Sequence, residues 1–256
     1  MNRETSDRLR AINRRFYTER GAEFSASRDH PWPGWARLCR RLPGPRDAGR
    51  GSLRILDVGC GNGRFGAFLR ETLRRPHAYV GVDDSQPLLE VAIERARTWS
   101  EHRYEFLRRD VLAEAEGDAS LPEGPFDLVV AFGLFHHVPG RAARAALVAR
   151  MAAALRPGGI LGLTVWQFGA ADRFANRGVD WQTHNATAAS PIDVSELEPG
   201  DHLLRFGNTG AAPRYCHAID PAEWRSWAAA SELTQIDSFL SDGRGADLNR
   251  YLVLRR

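Results

Sequence analysis

One segment, Leu53 to Gly66, restricts what this chain can fold into more than any other. A short apolar strand ends at Asp57, the chain breaks into glycines at 59, 61 and 63, and a helical stretch with Phe65, Ala67, Phe68 and Leu69 follows. Strand, glycine turn and helix in that order form the cradle by which a doubly wound α/β domain holds a nucleotide-like ligand. The residues beyond keep the same rhythm. Strands are expected at 53–58, 78–83, 104–109, 126–132 and 159–166, with helices at 64–74, 87–99 and 140–155. Ser85 offers an N-cap to the second helix and Pro87 suits its first turn. Arg156-Pro157-Gly158-Gly159 stops the third, since proline and paired glycines do not continue a helix. Such alternation implies a mostly parallel sheet with helices on both faces.

Two ligand classes compete for the glycine turn. Gly61, Gly63 and Gly66 satisfy the dinucleotide spacing G-x-G-x-x-G, which would suit a NAD-type oxidoreductase. Asp57 argues against it, because a pyrophosphate needs the positive end of the helix with no carboxylate pressed against it. S-adenosylmethionine (SAM) instead carries an ammonium and a sulfonium, which an acid at the strand end favours. Ligands in this architecture sit at the carboxyl ends of the strands. Three acids stand there: Asp57, Asp83 and Asp110. Asp83, twenty positions past Gly63, is placed to accept both ribose hydroxyls, and Asp110, followed by Val111, to accept from the adenine amino group. Either of these two could alone cap the next helix; three acids in register point to a binding site. Cys60 lies inside the turn, and Gly59, Gly61 and Gly63 let the backbone approach the cofactor without a Cβ in the way.

Composition narrows the class. The 256 residues suit one α/β domain with appendages. No apolar stretch approaches the ~20 residues that span a bilayer, and the charged start, Met-Asn-Arg-Glu-Thr-Ser-Asp-Arg, lacks an apolar signal core. Cys39, Cys60 and Cys216 show neither metal-type nor redox-type spacing, and three cysteines cannot all pair. The expectation is a reduced cytoplasmic enzyme without a metal. Every basic residue is arginine, yet the net charge is only +3, which neither requires nor excludes nucleic acid.

The flanks read differently from the middle. Residues 3–20 form an amphipathic helix with Leu9, Ile12 and Phe16 on one face. Residues 21–35 are aromatic and turn-rich, and Leu42 to Ser52 is a Gly/Pro/Arg linker. From Gln167 to Pro213 the periodicity fades, which suggests a structureless insertion serving as a lid or substrate wall. A helix at 220–231 and strands at 233–240 and 248–255 close the chain. The expected organisation is an N-terminal cover (1–50), a cofactor core (51–166), an insertion (167–218) and a C-terminal completion of the sheet (219–256).

Ile-Leu-Asp-Val-Gly-Cys-Gly-Asn-Gly, Val-Gly-Val-Asp-Asp-Ser, Phe-Asp-Leu-Val-Val-Ala and Leu-Arg-Pro-Gly-Gly resemble the class I SAM-dependent methyltransferases over residues 51–166. That resemblance implies a Rossmann-like, seven-stranded, mostly parallel sheet with its last strand antiparallel. Asp84 stands where relatives commonly place an apolar residue against adenine. The loop Phe132 to Pro139, which faces the methyl donor in such folds, carries His136 and His137.

Outside the core a narrower likeness emerges. Phe16-Tyr17, Phe24-Ser25-Ala26-Ser27-Arg28, Pro31-Trp32-Pro33, Val165-Trp166, Pro199-Gly200-Asp201, Arg214-Tyr215-Cys216-His217 and Asn249-Arg250-Tyr251 resemble the tRNA wobble-uridine carboxymethyl methyltransferases. Those enzymes esterify 5-carboxymethyluridine in the anticodon and can act with a small zinc-containing activating subunit. The likeness implies tRNA as partner. A carboxylate acceptor is already ionised near neutral pH and needs no strong base. It needs a cationic clamp, for which Arg28 and Arg214 are the candidates, with His136 and His217 as hydrogen-bond partners. A small-molecule O- or N-methyltransferase with 167–213 as its lid is the alternative, and the oxidoreductase ranks below both.

Overall fold

The alternation expected from the sequence is present in the computed structural model, which describes residues 1–27, 30–42, 52–99, 103–113, 121–170, 172–206 and 213–256. Two helices lead, α1 (Arg3–Ala26) and α2 (Pro33–Cys39). Then come β1 (Leu53–Val58), α3 (Arg64–Thr72), β2 (His77–Asp83), α4 (Gln86–Ala96) and β3 (Arg103–Arg108). β4 (Phe126–Ala131), α5 (Arg141–Ala153) and β5 (Leu155–Trp166) complete the parallel part. Next are β6 (Gly178–Val179), α6 (Trp181–Asn185), β7 (Asp201–Leu204) and β8 (Arg214–His217). The chain ends with α7 (Pro221–Ala230), β9 (Thr234–Ser241) and β10 (Asn249–Arg255). Among the described residues no helix is long and apolar enough to cross a membrane.

Seven strands form one sheet in the order β3-β2-β1-β4-β5-β10-β9. The first five pair in parallel, and β10 runs antiparallel to both β5 and β9. β1 and β4 are buried almost throughout because helices cover both faces of the sheet. Leu56, Val129 and Leu161 pack toward Leu147, Met151 and Trp227 on one side. Ile55, Leu128 and Val130 pack toward Trp35, Leu38, Phe65 and Leu69 on the other. The Arg156–Gly159 stretch lies within β5, where the register against β4 shifts, so the residues that stop α5 form an irregular first turn of the strand.

The N-terminal segment is tied to the last strand. A Cβ on Gly34 would come within 2.3 Å of the Tyr251 ring, so α2 packs on β10 at a distance only glycine permits. Asp242 accepts hydrogen bonds from the Gly34 amide (3.0 Å), Asn249 Nδ2 (2.9 Å) and the Tyr251 hydroxyl (2.7 Å). Trp35 is buried against Phe65 and Phe132 beneath that junction.

Two expectations need correction. α1 continues through Ala26 instead of ending near residue 20. Glycine inside a helix costs roughly 1 kcal/mol, but Gly21 lies against Pro87 and Leu88 of α4, and that packing carries the helix onward. The stretch from Gln167 is not structureless either. β6, β7 and β8 form a small antiparallel sheet. Strands of two to four residues are too short for a hydrophobic period to register.

Candidate active site

The direction of the strand order changes between β1 and β4, and the crevice this opens at the carboxyl ends is where doubly wound sheets place their ligands. A cavity of about 590 Å³ lies there. Asp57, Gly59, Cys60, Gly61, Asp83, Asp110 and Val111 line one side, and His136, His137, Trp166 and Arg214 line the other. α1 closes over both with Arg10, Asn13, Arg14 and Tyr17.

The strand-end acids are held in an unusual electrostatic state. Asp57 is 2% exposed and accepts the Tyr79 hydroxyl at 2.6 Å. Burial pushes its carboxyl up to about 7, against the downward pull of that hydrogen bond. Asp83 accepts from the amides of Gly61 (2.8 Å) and Ser85 (2.9 Å), and burial raises it to about 6. Neither carboxylate has an ion-pair partner among the described residues. A cavity holding two buried, unpaired acids favours a cationic ligand, which is what SAM offers. The Asp83 carboxylate keeps acceptor capacity beyond these amide bonds.

Asp110 also lines the cavity, but it is already committed. Its carboxylate pairs with Arg10 and with Arg14 (3.3 Å) of α1 and accepts from the Leu112 amide at 3.0 Å. It therefore anchors the covering helix as well as bordering the cavity. Asp84 sits in the same corner, half-buried, raised by burial and then by Asp110, with Arg14, Arg108 and Arg10 lowering it. Gly63 does not line the cavity. It stands at the N-cap of α3 with φ +73°, and a Cβ there would come within 3.0 Å of Ala92 and 3.2 Å of Phe106. The close packing of α3 on α4 and β3 therefore requires glycine there.

The opposite wall is organised around the turn Phe135–His137 and strand β8. His137 Nδ1 lies 2.8 Å from the Tyr215 carbonyl and 3.2 Å from Asn13 Nδ2, and its Nε2 lies 2.9 Å from the Tyr17 hydroxyl. Asn13 accepts the Tyr215 amide at 2.8 Å, so both backbone groups of Tyr215 are used to join β8 to α1 and the histidine turn. His136 is buried, with its ring 4.0 Å from His137 and 4.8 Å from Trp166.

Arg214 is the chemical anomaly of this wall. It is 4% exposed, yet its guanidinium pairs with no carboxylate among the described residues. Aromatic rings surround it instead: Trp166 at 5.1 Å, Phe16 at 5.7 Å and Phe24 at 5.8 Å. Its Nε has no hydrogen-bond partner. Cation–π contacts of about 0.5–2 kcal/mol do not replace the hydration of a buried ion. By contrast Arg144, equally buried, holds two carboxylates.

Two further sequence candidates fall elsewhere. His217 does not border the cavity; it lies behind β8, with Nδ1 2.6 Å from Asp201. Alternation along the strand turns it away from the side that Arg214 faces. Arg28 lies outside the described residues. Asn13 and Tyr17 went unrecognised as polar groups of this wall. The available signal was Asn13 itself, a polar residue on the face that Leu9 and Phe16 mark as buried.

A methyltransferase-domain family model matches residues 56–161. Mouse tRNA (carboxymethyluridine(34)-5-O)-methyltransferase ALKBH8 is 28% identical over 150 residues, 59% of this chain and 19% of that protein, so the chain spans about a fifth of that relative. A ubiquinone biosynthesis O-methyltransferase from Aromatoleum aromaticum is 30% identical over 218 residues, covering 81% of this chain and 79% of that protein. Among solved structures, magnesium protoporphyrin IX methyltransferase from Synechocystis with bound S-adenosylhomocysteine (SAH) aligns with a TM-score of 0.63 at 13% identity, over 96% of this chain and 99% of that one. A SAM-dependent methyltransferase from Methanosarcina mazei aligns at 0.59 with 17% identity, over 84% and 98%. At these identities the structural likeness speaks to the fold.

Proposed function

Because this chain belongs to the class I SAM-dependent methyltransferases, we propose that it methylates a carboxylate oxygen, and that the acceptor is the carboxymethyl group of a modified wobble uridine in tRNA. The observation that carries the carboxylate is Arg214, a buried guanidinium in an aromatic box with no acidic partner among the described residues. Such a cation is satisfied by an anion that arrives with the substrate, and its fork suits a carboxylate bidentately. The tRNA assignment is supported by the short motifs flanking the core and by the similarity to ALKBH8. A second reading, a small-molecule O-methyltransferase, draws on the wider coverage of the ubiquinone biosynthesis enzyme.

In this reading Asp57 faces the cofactor's amino group, Asp83 its ribose, and Val111 its adenine. Gly59, Cys60 and Gly61 provide the backbone beneath it. Bound SAM supplies an electrophilic methyl group. The protein's work is alignment: Arg214 fixes one carboxylate oxygen toward that methyl, His136 borders it, and α1 with Tyr17 keeps water out. No base is required, because the acceptor carries no proton at neutral pH.

The test is transfer of label. Total tRNA from cells lacking this enzyme, incubated with methyl-labelled SAM, is expected to gain label that mild alkali releases, as an ester does. Label that resists alkali, or that appears only in small metabolites, overturns the tRNA reading.

The buried acids add a pH signature. An acid whose folded value is raised stabilises the ligand-free fold at low pH and loses that contribution as pH rises through the folded value. For Asp57 that window runs from about 3.8 to about 7. A bound ammonium offsets the loss, so the melting-temperature gain from saturating SAH is expected to be larger at pH 8 than at pH 6. Asp57→Asn is expected to flatten this dependence and weaken SAH binding about tenfold or more, checked by calorimetry. Undiminished affinity in that variant would remove Asp57 from the cofactor site.

A further inference from the structure

β8 has two faces with different surroundings. Arg214 and Cys216 turn to one side, Tyr215 and His217 to the other, and all four are buried. Behind the strand, Asp201 Oδ1 accepts the Tyr215 hydroxyl at 2.7 Å and lies 2.6 Å from His217 Nδ1. Its Oδ2 accepts the Glu198 amide at 2.8 Å. Glu198 then pairs with Arg144 at 2.7 Å. Arg144 also pairs with Glu223 of α7, at 2.6 Å through Nε and 3.1 Å through Nη2. Its remaining arm, Nη1, donates to the Val138 carbonyl at 3.0 Å, directly after the histidine turn. Arg141 completes the surroundings, its amide on Glu198 (2.7 Å) and its side chain 3.5 Å from Glu223. His217 stands 3.9 Å from both glutamates. One guanidinium from α5 therefore joins α7, the histidine turn and, through two acids, the strand that carries Arg214.

We propose that His217 and Arg144 are positioning residues for the acceptor: this buried cluster fixes β8 so that the Arg214 guanidinium is held at the methyl-transfer end of the cavity. The proposal rests on Arg214 as the acceptor clamp. Packing alone could hold a four-residue strand, and a buried ion cluster is no more stabilising than well-packed apolar residues. What hydrogen-bonded charges add is a single allowed geometry, and here they stand directly behind the one buried cation whose placement the reaction depends on.

Two measurements test this. The first needs no substrate. With 15N-arginine labelling, the Arg214 Nε–Hε resonance, assigned by its loss in Arg214→Gln, is expected to be sharp in the parent enzyme with SAH. It is expected to broaden or split in His217→Ala and to recover in His217→Asn, whose Nδ2 can take the place of the ring Nδ1 toward Asp201. An unchanged resonance in His217→Ala overturns the proposal. The second is a double-mutant cycle on acceptor kinetics with total tRNA, with SAH affinity measured in each variant. His217→Ala is expected to raise acceptor KM about tenfold while SAH affinity stays within about twofold, and to cost less than about twofold further in the Arg214→Gln background. Tyr215→Phe, which deletes only one bond to Asp201, is a milder probe in case His217→Ala fails to fold, expected to show about threefold with the same non-additivity. Additive losses, or parallel loss of SAH affinity, overturn the proposal. Unchanged acceptor KM in Arg214→Gln overturns the clamp and the proposal together; a normal loss there beside unchanged KM in His217→Ala overturns the proposal alone.

Discussion

Arg214→Gln is expected to lower kcat/KM for the acceptor by about 10²- to 10³-fold, the equivalent of roughly 3–4 kcal/mol, within the range lost when a buried charge pair forfeits one partner. SAH should bind this variant as it binds the parent, because Asp57, Asp83 and the glycine turn lie on the other wall of the cavity. Arg214→Lys is expected to recover only part of the rate, since an ammonium lacks the planar fork and stacks less well among Trp166, Phe16 and Phe24. The ligand-free protein provides an independent check. A buried cation without a counter-ion destabilises the fold, so Arg214→Gln should melt no lower than the parent, and higher if its neighbours repack. Loss of stability together with loss of SAH binding would return Arg214 to a purely structural role.

Arg144→Met is expected to produce the largest loss of stability, roughly 3–5 kcal/mol, because it strands acids that share one guanidinium. Glu223 is almost wholly buried, with Arg141, 3.5 Å away and largely exposed, its other side-chain cation. Glu198 is partly exposed and keeps the Arg141 amide. For a chain of this size the loss corresponds to a fall in melting temperature on the order of 10 °C. Urea unfolding measures it directly. Replacing Arg144, Glu198 and Glu223 together by apolar residues should restore most of the stability. A single substitution that costs less than about 1 kcal/mol would mean that water reaches the cluster.

Local signals were the legible ones. β1, the glycine turn, the acids at the ends of β1 and β2, and the strand alternation are written in runs of six to twelve residues, and the structure places these where the spacing predicts. The wall facing the cofactor side was legible only in part. Asn13 meets Tyr215 across 202 positions, and Arg144 meets Glu223 across 79. No periodicity encodes such pairs. His217 shows the cost of reading a strand without its pleat, since it shares a motif with Arg214 but not a side. Gly63 shows a related limit: a glycine in a binding motif can be required by a neighbouring helix. The small β6-β7-β8 sheet was hidden by its brevity, and α1 beyond residue 20 by a glycine whose cost its packing offsets.

The aromatic box around Arg214 has a bearing on how a catalytic cycle ends. In the proposed reaction a carboxylate gripped there enters as an anion and becomes an uncharged ester, so the attraction that drew it in disappears as the methyl group is transferred. The guanidinium is then once more without a counter-ion, and a fresh acid competes for it on better terms than the finished ester. On that proposal the esterified acceptor is expected to bind more weakly than the acid and to inhibit little.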